Sequence, residues 1–317
     1  MPTAGQWKQL TALPEKRDVL RTDLYFRECF ADVAGLLGSS AVKVLAPLAL
    51  LSFKPDAVVG RRMRLTLEFS AEHGFVPVAF EPMRQTRHTV RELWRYDWNA
   101  YTIDRLEWAT MMNTSTDTLV MILRDTRFDG STPGSVRLGA LKGPAAREKR
   151  HEGHLRTRLD PPNGIMNFVH VGDEPADVVR ELGIFLPRSN RRHLLSHIAA
   201  QPHRDATGRL LEAIELLEAH HPPHDLNFSA SLARMQSAGA IDAAFAARLN
   251  LARHEGTKVP WDELRSSIDT RIAASWDFVV VTCELLFDER DAPAHLLPDP
   301  APLWAARRVN STVADAP

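Results

Sequence analysis

Cysteine is nearly missing from this chain: Cys29 and Cys283 are the only two in 317 residues. Two thiols so far apart give no disulfide framework and no metal-ligand spacing, and they suit a reducing cytoplasm. The N-terminus lacks a basic stretch followed by an apolar core, so no secretory leader is expected. Long apolar runs are missing too. The longest, 44–53 and 278–287, are too short or too interrupted to span a bilayer, which argues against a membrane partner. Nor is there an excess of charge of either sign. Lys and Arg number 39 against 40 Asp and Glu, so no global field draws the chain to nucleic acid. No internal repeat or low-complexity tract appears. What is left is the composition of an ordinary globular protein, long enough for two domains.

In chain order, residues 1–16 read as a loose arm and 18–37 as a helix, with Gly38 ending it. The continuous apolar run 44–53 reads as a buried central strand, stopped by Pro55. Residues 57–73 have helical spacing, Phe75–Met83 reads as a strand, Thr86 caps a helix over 87–96, and the aromatic-rich 97–113 reads as one or two short helices. A third buried strand covers 118–124. Turn chemistry follows to Arg137, then an excursion over 138–163 rich in Gly, Pro and charge. A fourth strand over 165–171 leads into a helix, Pro175–Phe185. This order of strands and helices predicts an α+β fold, a ferredoxin-like four-stranded antiparallel sheet with helices on one face. From Arg191 the pattern is helical, with segments near 192–199, 206–220, 229–236, 239–253 and 261–287. The Pro-rich tail from Asp291 reads as extended. The expected organisation is an arm and helix over 1–43, a mixed domain over 44–190 and a helical domain over 191–317.

One stretch carries a candidate for chemistry. In Asn167-Phe-Val-His-Val-Gly-Asp-Glu174 an apolar run ends by delivering an imidazole to a turn at a sheet edge. Such a His is a candidate nucleophile or acid/base group. Strict alternation places Asn167 and His170 on opposite faces, so a bulge or turn is needed between them.

Four motifs together resemble the nucleoside diphosphate kinase family. The strand running into Lys54-Pro-Asp-Ala-Val58 matches its opening. Gly74-Phe75 matches the pair that ends its first helix. Pro133-Gly-Ser-Val-Arg137 matches its Pro-Gly-Thr-Ile-Arg. Asn167-Phe-Val-His170-Val-Gly-Asp173, with Glu181 eleven residues after the His, matches its active-site signature. The resemblance covers about 45–187 and implies a ferredoxin-like fold. It implies that His170 takes the γ-phosphoryl group of a nucleoside triphosphate as a phosphohistidine and passes it to a nucleoside diphosphate. Glu181 would hold and polarise the ring. Lys54 would neutralise the moving phosphoryl group and meet the sugar. Arg137 would fork onto the phosphates, with Thr132 and Arg127 contributing contacts. Asn167 would bond the ribose and Tyr101 would stack on the base. Mg²⁺ would come in with the triphosphate rather than sit in a protein cage.

The chain also departs from the pattern. Gly172 stands where the family has a Ser. The loop between Thr132 and Pro133 is shortened; the family uses it for oligomer contacts, so a homodimer is expected rather than its hexamer. The Arg that the family places before its Gly falls at Thr126, with Arg124 and Arg127 as neighbouring substitutes. An insertion carrying Lys142, Arg147, Lys149, Arg150, Arg156 and Arg158 reads either as a basic lid over an anionic ligand or as a solvated loop. The pairs His151/His154 and His193/His197 lack the Glu or Cys partners of a metal site. The leading function is therefore a phosphotransferase. The alternatives are a nucleotide-binding regulator with weakened chemistry, or a different transfer in the same pocket.

Overall fold

A computed structural model describes residues 1–269, 276–287 and 296–314. Four helices, α1 (Ala4–Leu10), α2 (Pro14–Leu20), α3 (Leu24–Leu37) and α4 (Ala41–Leu45), precede strand β1 (Leu48–Phe53). Helices α5 (Pro55–Val59) and α6 (Met63–Glu72) lead to β2 (Phe75–Met83), and α7 (Arg87–Leu93) and α8 (Ile103–Asn113) lead to β3 (Thr118–Asp125). Helices α9 (Gly134–Lys142) and α10 (Leu155–Leu159) lead to β4 (Val169–Val171), which runs into α11 (Pro175–Phe185). The rest is helical: α12 (Arg188–Ala200), α13 (Thr207–His220), α14 (Phe228–Ser237), α15 (Ala243–Glu255), α16 (Trp261–Ser267), α17 (Trp276–Leu285) and α18 (Ala301–Ala314). The strands form one antiparallel sheet in the order β2, β3, β1, β4, the ferredoxin-like order expected from the sequence.

The sheet lies between two apolar layers, not under one as the sequence suggested. Leu48 and Leu50 of β1 face a layer built on α3, α11 and α12. Ala49, Leu51 and Phe53 face a second layer that is continuous with α13 to α17. Burial on both faces explains why β1 reads as an unbroken apolar run. Each such leucine contributes about 1.5–3 kcal/mol by leaving water. Helix α17 (Trp-Asp-Phe-Val-Val-Val-Thr-Cys-Glu-Leu) is apolar on nearly every side and is correspondingly buried. The indole of Trp108 on α8 donates to its Val279 carbonyl at 3.2 Å.

Three segments differ from expectation in ways that matter for the site. The first sixteen residues are not a loose arm. Thr3 and Gln6 form a capping box that starts α1, and Thr11, Ala12 and Lys16 converge on Glu174. Glu174 has no exposure at all. It accepts from the Ala12 backbone N–H (2.6 Å), the Thr11 hydroxyl (2.8 Å) and the Trp304 indole (2.7 Å), and pairs with Lys16 (3.0 Å). The described part of the Pro-rich tail carries α18, which delivers that indole, rather than an extended chain; residues 288–295 and 315–317 lie outside the described residues, as do 270–275 within the helix expected over 261–287. The insertion after Arg137 is partly helical. Pro133-Gly134 does not close a loop but opens α9, and a Cβ at Gly134 would stand 2.4 Å from the Pro47 carbonyl oxygen, so this helix start packs on Pro47 only as glycine. Among the described residues no helix is long and apolar enough to cross a membrane.

Candidate functional site

The edge strand β4 is shorter than its apolar run, and the reason lies one residue before it. Phe168 adopts φ 69°, and the Val169 N–H bonds the Asn167 carbonyl two residues back, making a tight three-residue turn. A positive φ costs a bulky residue roughly 1–3 kcal/mol. The Lys54-Pro55-Asp56 corner holds the turn in place. The Lys54 N–H donates to the Phe168 carbonyl at 2.9 Å, and Asp56 accepts from the Phe168 N–H at 3.0 Å. The turn supplies the break in alternation that Asn167 and His170 require.

Beyond the turn, His170 pairs with Ser52 of β1 and points to the face covered by α11. Val169 and Val171 point the other way, into the second layer. Helix α11 starts at Pro175 with Glu174 and Asp177 capping it, which brings Glu181 under the imidazole on its second turn. His170 Nε2 and Glu181 Oε1 are 2.9 Å apart. Glu181 is 6% exposed, and its second oxygen, Oε2, has no partner. With Nε2 held, Nδ1 is the nitrogen left for a ligand. Trp94, at the end of α7, stands edge-on to the ring with centroids 6.1 Å apart. Helix α7 is fixed to α11 by Arg180, which donates to the Glu92 carbonyl (2.7 Å) and to Asp23 (2.7 Å).

His170 lines a cavity of about 180 Å³ between the α7–α8 pair and the segment 164–170. Among the described residues, Lys54, Arg91, Arg105 and Arg156 line it and no carboxylate does. The Lys54 ammonium donates to the Ile165 carbonyl (2.5 Å) and to Asn167 Oδ1 (3.0 Å), and Asn167 donates to the Gly164 carbonyl at 2.7 Å. Burial pulls the Lys54 pKa down from its ordinary value, partly offset by Asp56. Arg156 spans the Gly143 (2.9 Å) and Val169 (3.3 Å) carbonyls, and its Nε–H has no partner. Burial, with Arg150 nearby, lowers its pKa to about 10. A cavity whose described lining holds four cations, an imidazole and no acid is matched to a polyanion.

The structure thus brings together Lys54, Asn167, His170, Glu181 and Tyr101. Tyr101 lines the cavity as expected, but the Arg105 guanidinium lies over its ring at 3.7 Å, so one face is already taken. Arg127, Thr132 and Arg137 are not at this site and must be corrected. They follow β3 at the end of the sheet where Leu48 pairs with Arg124, whereas His170 pairs with Ser52 near the other end. The Arg137 fork is used internally: it clasps Asp125 with two bonds of 2.5 Å and covers the Phe75 ring at 4.2 Å. Arg127 donates to the Glu72 carbonyl at 2.9 Å.

Arg156 is the residue the sequence hid. It belongs to the basic insertion, whose other members divide between both readings offered above. Arg147 and Lys149 are exposed, Arg158 pairs with Glu72, and Arg150 caps the Pro144 and Ala145 carbonyls. Its position two residues after His154, just inside α10, was a signal only in that Arg156 stands three residues before Leu159, on the helix face that must be buried, whereas Arg158 does not. The His151 and His154 rings lie against each other, centroids 3.4 Å apart and tilted by 34°. Among the described residues no group of three His, Cys, Asp or Glu side chains is placed to hold a metal ion.

No family model matches the chain, and no curated protein matches it in sequence. Among solved structures it is similar to the nucleoside diphosphate kinase of Aquifex aeolicus, with 19% identity and a TM-score of 0.36 over 43% of this chain and 92% of that one. The nucleoside diphosphate kinase of Encephalitozoon cuniculi gives 17% and 0.36 over 44% and 87%. An NDP kinase from Pyrobaculum aerophilum gives 16% and 0.35 over 45% and 97%. These likenesses cover less than half of this chain, and the site described above rests on its own geometry.

Proposed function

We propose that the protein is a phosphotransferase that carries the γ-phosphoryl group of a nucleoside triphosphate on His170 and passes it to a diphosphate acceptor. The observation that carries this reading is the His170–Glu181 pair at 2.9 Å at the wall of a cavity that Lys54, Arg91 and Arg156 line. The Nδ1 lone pair attacks the γ-phosphorus, the bond to the bridging oxygen breaks, and the diphosphate leaves. In the second half an acceptor oxygen attacks the same phosphorus and the N–P bond breaks, restoring the ring. While phosphorus is on Nδ1 the ring carries positive charge, and Glu181, bonded through Nε2–H, offsets it. Phosphoryl transfer leaves the protein little covalent work, so Lys54 and Arg156 contribute by neutralising the phosphate oxygens and fixing their line of approach. A divalent cation would come in on the triphosphate oxygens, since among the described residues no carboxylate lines the cavity.

One observation favours a slow enzyme over a fast one. Glu181 Oε2 is buried without a partner, at the place where Gly172 provides no hydroxyl. The test of the reading is direct. Incubation with γ-labelled ATP and Mg²⁺ should give an acid-labile, base-stable label that a nucleoside diphosphate removes and that His170→Ala lacks. Absence of label on the unaltered chain would end the proposal.

A further inference from the structure

Two imidazoles that the proposed reaction does not use stand at the start of α10, the short helix that carries Arg156. The His151 N–H donates to His154 Nδ1 at 3.1 Å, and the Gly153 N–H donates to His151 Nδ1 at 3.2 Å. A ring nitrogen accepts only while it is unprotonated, so both imidazoles are neutral in this arrangement. Their centroids are 3.4 Å apart, and neither can gain a charge without facing the other. The same two residues build the start of the helix. The His151 carbonyl accepts from the His154 N–H (3.0 Å) and the Thr157 hydroxyl (2.7 Å), and the His154 carbonyl accepts from the Thr157 N–H (3.1 Å). His154 is buried against Gly143, where a Cβ would stand 2.5 Å from its Cγ. The Gly143 carbonyl takes one end of Arg156 at 2.9 Å, so imidazole and guanidinium rest on one glycine.

Helices α6 and α9 pack on α10. Among the described residues, the charged groups of these elements are engaged elsewhere or are cations. On α6, Glu68 and Glu72 pair with Arg158, and Arg64 pairs with Glu215. Arg62, just before α6, donates to the Leu159 carbonyl at 3.1 Å. On α9, Arg137 clasps Asp125, and Lys142 lines a cleft with Gly143, Arg156, Asp173 and Asp299. Arg150 precedes the pair, and Arg147 is paired with Asp160. Burial, with His151 and Arg150 adding to it, holds the His154 pKa below its ordinary 6.5. We propose that the His151–His154 pair is an acid-sensitive latch on the phosphate site: when either Nδ1 takes up a proton from solution, its backbone donor loses its acceptor, the rings repel, α10 opens and Arg156 leaves the cavity. The neutral form is the bonded one, so the latch is closed above the ordinary imidazole value and opens as pH falls below it. The effect on nucleotide rests on the proposed function; the opening of α10 does not.

Hydrogen exchange read by mass spectrometry on the full chain, without nucleotide, tests the opening directly. With intrinsic exchange rates corrected for pH, protection over 155–159 should fall several-fold from pH 7 to pH 5 while that of β3 holds. Asparagine places an oxygen near the position of Nδ1 and takes up no proton in this range. His151→Asn combined with His154→Asn should therefore give equal protection at both pH values, and His154→Asn alone should keep a smaller fall. ATP affinity, measured by calorimetry, should match between the unaltered chain and the double variant at pH 7 and be several-fold weaker in the unaltered chain at pH 5. Protonation of the nucleotide and of His170 is common to both chains and cancels. Constant protection in the unaltered chain would overturn the latch whatever the variants do, as would the same fall in the double variant. A fall in protection with equal ATP affinities at pH 5 would overturn its link to the phosphate site. If neither chain binds ATP at either pH, the phosphotransferase reading fails, and the exchange result still decides the latch.

Discussion

Gly172→Ser measures what the site lacks. A Cβ at Gly172 would come 3.4 Å from Glu181 Oε2 and 3.3 Å from Asp177 Cβ, and Gly172 does not need a positive φ. The methylene is therefore a tight fit, but the hydroxyl it carries comes within reach of a carboxylate oxygen that is buried and unpartnered. Gly172→Ala adds the crowding alone, so the difference between the two variants isolates the hydroxyl. A hydrogen bond to a charged group contributes about 1.5–3 kcal/mol net. At about 2 °C per kcal/mol for a chain of this size, the Ser variant should melt about 3–6 °C above the Ala variant. Holding the carboxylate also fixes the imidazole through the 2.9 Å bond, so the rate of label formation should be several-fold higher in Ser than in Ala. Calorimetric melting and a rapid-quench label assay read the two effects. If Ser and Ala melt together and label at the same rate, the orphaned oxygen has no bearing on the site and the argument fails.

Other substitutions separate the two ends of the sheet. Arg156→Gln should slow labelling by about a hundredfold or more, the usual loss when one donor to a developing phosphate charge is removed. Arg137→Gln should leave the rate of labelling unchanged while costing about 2–4 kcal/mol in urea, because Asp125 is left buried and unpaired. An equal rate effect from both would place the site wrongly. Asp23 gives a pH dependence. Burial raises its pKa, but the Arg180 guanidinium, the Phe26 N–H and the Tyr96 hydroxyl together outweigh burial and hold it below its ordinary 3.8. Stability from this pair is then full above that value and is lost as pH falls below it. Asp23→Asn should accordingly cost about 3–5 kcal/mol at pH 7 and progressively less on acidification toward pH 2, seen as urea midpoints that converge. Trp304→Phe should cost about 1–2 kcal/mol by removing the indole donor to Glu174, read from the same denaturation curves.

The parts of the site that could be read from the sequence are those whose geometry is local. Lys54-Pro-Asp and Asn167 to His170 are each one corner, and their mutual clamp follows once two strands pair. Glu181 is fixed to His170 by a turn and one helix. The parts that could not be read are those decided by a neighbour distant in sequence. An Arg after Pro-Gly looks like a free fork, yet Asp125 claims Arg137 across the end of β3. Arg156 looks like one charge among six in a loop, yet α10 folds it under β4. The strand order was legible because burial on both faces leaves β1 and β3 unbroken apolar runs. The second apolar layer was not, since nothing local says which face the later helices will cover.

The joint at Glu174 has a consequence for the order in which the protein is made. Its partners stand 162 residues before it, at Ala12, and 130 residues after it, at Trp304. Each closure of that length costs about 4–5 kcal/mol of chain entropy, so neither forms early. On a ribosome adding roughly 5–20 residues per second, Trp304 is added about 6–26 s after Glu174. During that interval the turn after His170 has its capping carboxylate without the indole that completes its bonding. The turn between His170 and α11 is thus completed only when residue 304 has been added, and a nascent chain stalled before it should hold Glu174 by its Thr11, Ala12 and Lys16 bonds alone.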